Sequence, residues 1–206
     1  LQILKKYKNI RYKYIKCKKG LSLARNKGIS KSNGDILIFI DDDIILEKNH
    51  ISKLNYEFNN KKIDILCYNV INQYNKKLLN YPDKKFYISK IDEIFNFISS
   101  VSFAIKKTNN LKFDTNIGLG SKNIFLSGEE TDLIINEFKR RNKKIYFNNK
   151  IRIIHIERKL KYLDQLKKQF FYGCGWIYVV QKQNISKFFL FKNYLKVIFN
   201  FFFYFF

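Results

Sequence analysis

An uninterrupted apolar run that ends in three consecutive acids constrains the fold of this chain more than any other feature. The run is Ile36-Leu37-Ile38-Phe39-Ile40, and the acids are Asp41, Asp42 and Asp43. Because the run does not alternate with polar residues, it is typical of a strand buried on both faces, as in a parallel sheet covered by helices. In open α/β sheets, ligands bind outside the carboxyl ends of the strands. The sequence therefore predicts an α/β fold with acids at a ligand-binding edge.

Apolar patterns along the chain predict one α/β domain, over residues 1–180, with a mostly parallel central sheet flanked by helices. Helices are expected over about 22–30, about 51–58, 129–141 and from 162 onward, the last broken by Gly173 and Gly175. Strands are expected over about 10–14, 36–40, 63–68, 95–105, 144–147 and 151–154. The strand, helix and strand between 36 and 68 form a βαβ unit, which crosses over right-handed. Segment 72–93 is expected to be loop and edge structure, and 114–128 a glycine-containing loop.

The composition excludes several classes of protein. A chain of 206 residues that is 46% hydrophobic can bury a core, and three isolated cysteines with two histidines exclude a zinc finger. The net charge is +23, from 40 basic and 17 acidic residues. One explanation is a genome rich in A and T, whose codons favour lysine without any selection for charge. The other is an attraction to anionic partners. Because the lysines are scattered and no arginine-rich or aromatic RNA-binding signature is present, we predict no nucleic-acid partner.

The Phe-rich segment 181–206 is the least globular part of the chain. Its only uninterrupted apolar stretch is Val197–Phe206, and ten residues are too few to span about 30 Å of hydrocarbon as a helix. The tail predicts either an amphipathic helix in the plane of a membrane or the beginning of a membrane segment; a terminal helix packed on the core is the alternative. We therefore expect an anionic membrane surface as a partner, on the cytoplasmic inner face of the cell membrane.

Asp41 and Asp43 are candidate metal ligands. On an extended strand these two side chains share one side, and two carboxylates about 4 Å apart repel by about 4 kcal/mol at an effective dielectric constant of 20. A cation that prefers oxygen ligands, Mg²⁺ or Mn²⁺, would remove this repulsion and would keep substrate phosphates among its ligands. The alternative is a solvated acidic turn that caps the next helix near Glu47.

A second group of acids stands at the start of the helix that follows the glycine loop: Glu129, Glu130 and Asp132. The helix dipole stabilises acids in a first turn by about 0.3–1 kcal/mol each, which explains some of them. Three acids are more than capping requires, so one is a candidate general base. His155 ends an apolar strand, where it is either a metal or phosphate ligand or a structural residue.

The order of these motifs resembles family 2 glycosyltransferases with the GT-A fold. The chain contains Gly20, then Ala24-Arg25-Asn26 and Gly28, followed by Gly34-Asp35, the apolar run and the Asp-x-Asp motif. Much later come Gly-Leu-Gly, the Gly-Glu-Glu-Thr-Asp-Leu helix start and a strand that leads into His155. The resemblance covers roughly residues 10–180, and each single motif is weak while the ordered set is fairly specific.

The resemblance implies a role for each motif at the donor side of the site. The residues expected to contact a nucleotide-sugar are Arg25, Asn26, Asp41 and Asp42, the last of them near the ribose. The residues expected to hold a divalent cation against the diphosphate are Asp41, Asp43 and His155. The implied cofactor is Mg²⁺ or Mn²⁺, and the implied donor is a nucleotide-diphosphate sugar.

The resemblance also implies an acceptor-activating base. Glu130 stands where the family usually has Asp in a Glu-Asp pair, so its side chain is longer by one methylene group. Because of this difference, Glu129 or Asp132 could serve as the base instead. Trp176 either lines the acceptor side or packs in the core. The implied reaction inverts the configuration at the anomeric carbon.

We therefore expect a bacterial-type, metal-dependent glycosyltransferase of the hexosyltransferase kind that builds a surface glycan or glycolipid. The family usually has a strand and a helix before the segment at Ile10, and these are not in the sequence. The alternative is therefore a catalytically impaired, truncated relative that binds a membrane or a protein. A nucleotidyltransferase with paired aspartates is disfavoured, because its usual glycine-rich, lysine-bearing start is not seen.

Overall fold

The computed structural model describes residues 11–141, 143–158, 160–186, 189 and 191. The helices and strands in chain order are α1 (Leu21–Lys31), β1 (Ile36–Ile38), β2 (Ile44–Leu46), α2 (His50–Asn60), β3 (Ile65–Asn72), β4 (Phe86–Ile88), α3 (Ile91–Phe97), β5 (Phe103–Lys106), α4 (Glu129–Arg141), β6 (Ile145–His155) and α5 (Tyr162–Lys182).

The described strands form one mixed sheet in the order β1-β5-β3-β6-β2, and β4 also pairs with β6. Among these strands β3 and β6 pair in parallel, and the other pairs are antiparallel. The α/β class is confirmed, but the expectation of a mostly parallel sheet was wrong. The two strands of the expected βαβ unit run in the same direction, yet β5 lies between them because its residues pair with both.

The most deeply buried strand is β3 rather than the apolar run before the acids. All eight residues of β3 are buried, and β6 packs along its whole length. In contrast, β1 has only three residues and lies at the end of the strand order. Leu37 is its one fully buried residue, with less than a tenth of its surface exposed. The run at 36–40 is therefore a short strand followed by irregular backbone. Phe39 lies in this irregular part, and its ring is close to Arg25 of α1.

Several expected elements differ in type or length from the observed ones. Residues 11–14 have no regular structure, and the expected strand over 95–105 begins inside α3, with β5 starting only at Phe103. The strands expected at 144–147 and 151–154 are one strand, β6, because a bulge in its pairing with β3 accommodates the polar residues between them. The short strand β2 was not expected.

α5 continues through the two glycines that the sequence predicted would break it. A methyl group at Gly175 would collide with the backbone of Ser127, whose nitrogen would lie 2.8 Å away. A methyl group at Gly173 would meet nothing within 4 Å. Gly175 therefore serves the close approach of α5 to the loop before α4.

No helix in the described part of the chain combines the length and the apolar character that a membrane crossing requires. Most of the segment for which a membrane anchor is expected, namely 187–188, 190 and 192–206, lies outside the described residues. The membrane anchor therefore stays a prediction.

Candidate functional site

A buried arginine of α1 joins the two acidic segments. The Nη1 atom of Arg25 donates a hydrogen bond of 3.0 Å to Oε1 of Glu129, and its Nη2 atom lies 3.4 Å from Oδ1 of Asp41. Arg25 is 7% exposed and Glu129 is 3% exposed. The acids after β1 and the acids at the start of α4 thus meet on one guanidinium group.

The inner face of α1 is polar at this point. The residues of α1 that are buried are Ser22, Arg25 and Ile29. The guanidinium carbon of Arg25 lies 5.8 Å from the ring centroid of Phe39 and 5.5 Å from that of Phe113. Rings at this distance attract a cation, and they help to compensate the loss of hydration of a buried guanidinium.

A glycine in the loop before α4 makes room for the carboxylate of Glu129. Gly118 has a φ of +101°, and a Cβ atom there would lie 2.9 Å from Oγ of Ser22 and 3.2 Å from Cδ of Glu129. The hydroxyl of Ser22 donates a 2.6 Å hydrogen bond to the carbonyl oxygen of Ile117, which holds the loop against α1. The Oε2 atom of Glu129 is buried without a hydrogen-bond partner among the described residues.

Burial raises the pKa of both glutamates. For Glu129 the loss of hydration is the main cause, and the charge of Arg25 opposes it. Glu130 is half-buried. The loss of hydration of its carboxylate, followed by the charge of Glu129, raises its pKa to about 8. A carboxyl group whose pKa lies near the working pH is suited to accept a proton from a hydroxyl group.

Tyr172 of α5 borders the same acids, and sequence reasoning missed it. Burial, followed by the charges of Glu129 and Glu130, raises the pKa of its phenol. Its carbonyl oxygen accepts a 2.8 Å hydrogen bond from the hydroxyl of Ser127. No motif marks Tyr172, and the only signal in the sequence is the nearby Gly175, which allows the close contact between α5 and this loop.

A second polar pair joins the acidic turn to the end of β6. The Nε2 atom of His155 lies 3.6 Å from Oδ2 of Asp43, and the backbone of Ile156 donates a 2.8 Å hydrogen bond to the carbonyl oxygen of Asp43. Residues 42 and 43 form a turn, so Asp41 and Asp43 have different partners instead of the shared side expected on a strand. Asp42 is exposed, with Arg158 3.8 Å away.

The donor atoms around Asp43 fit a divalent cation only in part. Among the residues that the structure describes, no three His, Cys, Asp or Glu side chains are grouped to hold a metal ion. Asp43 and His155 offer a carboxylate and an imidazole, both of which Mn²⁺ accepts, and substrate phosphates complete such sites. The Nδ1 atom of His155 has no hydrogen-bond partner among the described residues. The carboxylate of Asp41 instead contacts Arg25 and, at 3.5 Å, the hydroxyl of Ser100.

Asn26 and Asp132, two further predicted site residues, lie in packing contacts. The side-chain amide of Asn26 donates to the carbonyl oxygen of Phe113 over 2.9 Å and accepts from its backbone nitrogen over 2.7 Å. Asp132 is 1% exposed and accepts hydrogen bonds from Lys182 and Gln183 of 2.8 and 2.7 Å. The structure therefore does not bring Asp132 to Arg25.

Trp176 lies in an aromatic cluster between α3 and α5. Its ring centroid is 5.4 Å from that of Phe95 and 5.6 Å from that of Phe189. Contacts of this kind are found in protein cores, which was one of the two expectations for this residue.

Comparisons with known proteins identify the family and the fold of the chain. Residues 1–128 match the sequence profile of the family described as "Glycosyl transferase family 2". No curated protein matches the sequence. The fold is similar to TarS of S. aureus, solved in complex with UDP-GlcNAc, with a TM-score of 0.58 and 14% identity over 79% of this chain and 47% of that one.

It is also similar to glucosyl-3-phosphoglycerate synthase of Mycobacterium tuberculosis, solved in complex with Mn²⁺, UDP and phosphoglyceric acid. That likeness has a TM-score of 0.52 and 17% identity over 84% of this chain and 57% of the other. The chain thus spans about half the length of these two proteins. Both likenesses confirm the GT-A fold that the motifs implied, and the family match covers more than half of the sequence. The chain belongs to glycosyl transferase family 2.

Proposed function

We propose that the chain transfers a sugar from a nucleotide-diphosphate sugar to a hydroxyl group of an acceptor, with inversion of configuration at the anomeric carbon. Membership of the family supports sugar transfer. The observation that carries the proposal is the meeting of Asp41 and Glu129 on Arg25, because it links the turn expected to bind the donor with the glutamate that precedes the expected base, Glu130. Two structural relatives were solved with UDP-GlcNAc or UDP, which supports a uridine nucleotide as the first donor to test.

Glu130 is the general base of this proposal. One carboxylate oxygen of Glu129 is held by Arg25 and the other is enclosed near Gly118, so Glu129 is poorly placed to receive an acceptor. Glu130 is less covered, and its raised pKa makes the ionised form a good proton acceptor. It takes the proton from the acceptor hydroxyl, whose oxygen attacks the anomeric carbon as the bond to the diphosphate breaks. A single base suffices for this inverting displacement.

A divalent cation is part of the proposal. Asp43 and His155 would hold Mg²⁺ or Mn²⁺, which when bound stabilises the negative charge of the departing diphosphate. Asp41 faces the same turn with its carboxylate oriented by Arg25 and Ser100. Asp42, which is exposed in this turn, would contact the ribose of the donor.

We also propose that the acceptor is a surface glycan or glycolipid and that the chain works at the cytoplasmic face of the cell membrane. The net charge of +23 and the Phe-rich tail support this location. A basic residue close to an anionic membrane contributes about 1 kcal/mol to binding. Vesicles with and without anionic lipid test this part separately from catalysis.

The test of the reaction measures nucleoside diphosphate release from a panel of nucleotide-sugars in the presence of Mg²⁺ or Mn²⁺. We expect turnover by the chain, a loss of about 100-fold or more in Glu130→Gln, and no change in Asp92→Asn. Asp92 is a suitable control because it is an exposed acid in the first turn of α3. Failure to bind or turn over any donor, with retained vesicle binding, would refute the reaction and favour a membrane-binding module.

A further inference from the structure

We propose that Arg25 is a positioning residue, whose guanidinium group holds the carboxylates of Asp41 and Glu129 and thereby sets the spacing between the donor-binding turn and the acid pair of α4. This inference rests on the proposed function, because it takes Asp41 as part of the donor side and Glu130 as the base. The resemblance had implied that Arg25 lines the nucleotide site. The contacts point to the acids as its partners instead.

The surroundings of Arg25 leave its guanidinium group little access to a substrate. The rings of Phe39 and Phe113 lie within 6 Å of it, as cation–π partners. Its Nη1 and Nη2 atoms are directed to the two carboxylates, and the side chain is 6% exposed. A nucleotide could therefore contact Arg25 only by displacing a carboxylate or a ring.

The guanidinium group links parts of the chain that are far apart in sequence. Arg25 and Glu129 are separated by 104 residues, and Arg25 and Asp41 by 16. Gly118 lets Glu129 approach α1 closely, because any larger residue would occupy the space of its carboxylate. Glu130 follows directly in the same helical turn, so a shift of Glu129 moves the base as well. Misplacing reacting groups by about 1 Å can reduce a rate by about 100-fold.

Arginine suits this position better than lysine. Its planar group offers several fixed donors to two carboxylates at once, whereas an ammonium group is a single point charge. The pair with Glu129 is buried, so the loss of one partner leaves an uncompensated charge, while the loss of both does not. This difference separates a role in stability from a role in positioning.

The experiment compares the full chain with the variants Arg25→Met, Arg25→Lys, Glu129→Gln and the double variant Arg25→Met/Glu129→Gln. Arg152→Met is the control, because Arg152 forms an exposed ion pair with Glu47. The measurements are kcat and KM for the donor, calorimetric binding of UDP with Mn²⁺, and the melting temperature.

We expect Arg25→Met to lower the melting temperature and to reduce kcat by about 100-fold, with UDP affinity within about threefold of the original. Glu129→Gln keeps an acceptor oxygen for Arg25, so its kcat falls by only about tenfold, and Arg25→Lys lies between the two. The double variant regains most of the melting temperature because no buried charge is left unpaired, but its kcat stays as low as that of Arg25→Met.

Recovery of both stability and kcat in the double variant would show that Arg25 is only structural and would overturn the inference. A loss of UDP affinity of more than tenfold in Arg25→Met would overturn it as well, by making Arg25 a nucleotide contact. Absence of sugar transfer by the unaltered chain refutes the proposed function, and this inference with it. If the unaltered chain transfers sugar and the Arg25 variants keep its kcat, the inference is refuted but the proposed function stands.

Discussion

The contact between Gly175 and Ser127 makes a sharp prediction about two glycines of the same helix. Alanine at Gly175 places a methyl group against the backbone nitrogen of Ser127, 2.8 Å away, and against its carbonyl oxygen. Alanine at Gly173 places a methyl group in open space. Both positions lie in the middle of α5, so the change in helix propensity is the same for the two variants.

The expected difference between the two variants is about 3 kcal/mol. Replacing glycine by alanine within a helix stabilises the fold by about 1 kcal/mol, which is the whole expected effect at position 173. At position 175 the same gain is opposed by a steric cost of about 1–3 kcal/mol, at the upper end because backbone atoms cannot rotate away. Gly175→Ala should therefore destabilise the chain by about 2 kcal/mol.

Urea unfolding of the full chain, followed by circular dichroism, measures both variants against the original sequence. Gly173→Ala should raise the urea midpoint, and Gly175→Ala should lower it without a change in slope. The loop at Ser127 leads directly into Glu129, so donor turnover should fall in Gly175→Ala and stay unchanged in Gly173→Ala. Equal midpoints for the two variants would refute the argument that close packing, rather than helix breaking, explains Gly175.

Three other predictions follow from the candidate site. Asp43→Asn and His155→Ala should each raise the Mn²⁺ concentration needed for half-maximal turnover, and titration of the metal at saturating donor measures this; an unchanged requirement would remove the pair from the metal site. Because the folded chain holds the proton of Glu130 more tightly than the unfolded chain does, stability should fall as pH rises from the ordinary glutamate range towards about 8, while turnover should rise over the same range. Glu130→Gln should abolish the rise in turnover and weaken the fall in stability, of which Glu129 keeps a part because its pKa is raised as well. Melting and rate profiles that keep their shape in this variant would contradict the assignment. Asn26→Ala should destabilise the chain by about 2 kcal/mol, since two hydrogen bonds with the backbone of Phe113 are lost, and denaturant unfolding would reveal a value near zero if these bonds were unimportant.

The candidate site could be predicted from the sequence further than the sheet could. The acids at 41–43 and 129–130 were found because charged residues next to apolar segments are visible in a sequence without knowing any contact. Their link through Arg25 was not predictable, because an arginine within a helical segment gives no sign of the carboxylates that it will meet. The same holds for Tyr172, whose helix reaches the acids only after folding.

The sheet was mispredicted for a physical reason. An apolar run indicates burial, but the neighbours of a strand come from distant parts of the chain. The run at 36–40 looked like a central strand, yet β5 covers only one of its edges and β1 ends after three residues. In the same way, the glycines of α5 have the composition of a helix break, while their actual use depends on the loop at Ser127.

The enclosure of the Arg25–Glu129 pair has a consequence for experiments at different ionic strengths. Dissolved ions screen exposed charges over about 10 Å at 0.1 M salt, but they screen a buried pair such as Arg25 and Glu129 much less. Added salt should therefore weaken the attraction of the many lysines for anionic partners strongly and affect this internal bridge far less. A salt titration thus separates recruitment to a charged surface from events at the acids themselves.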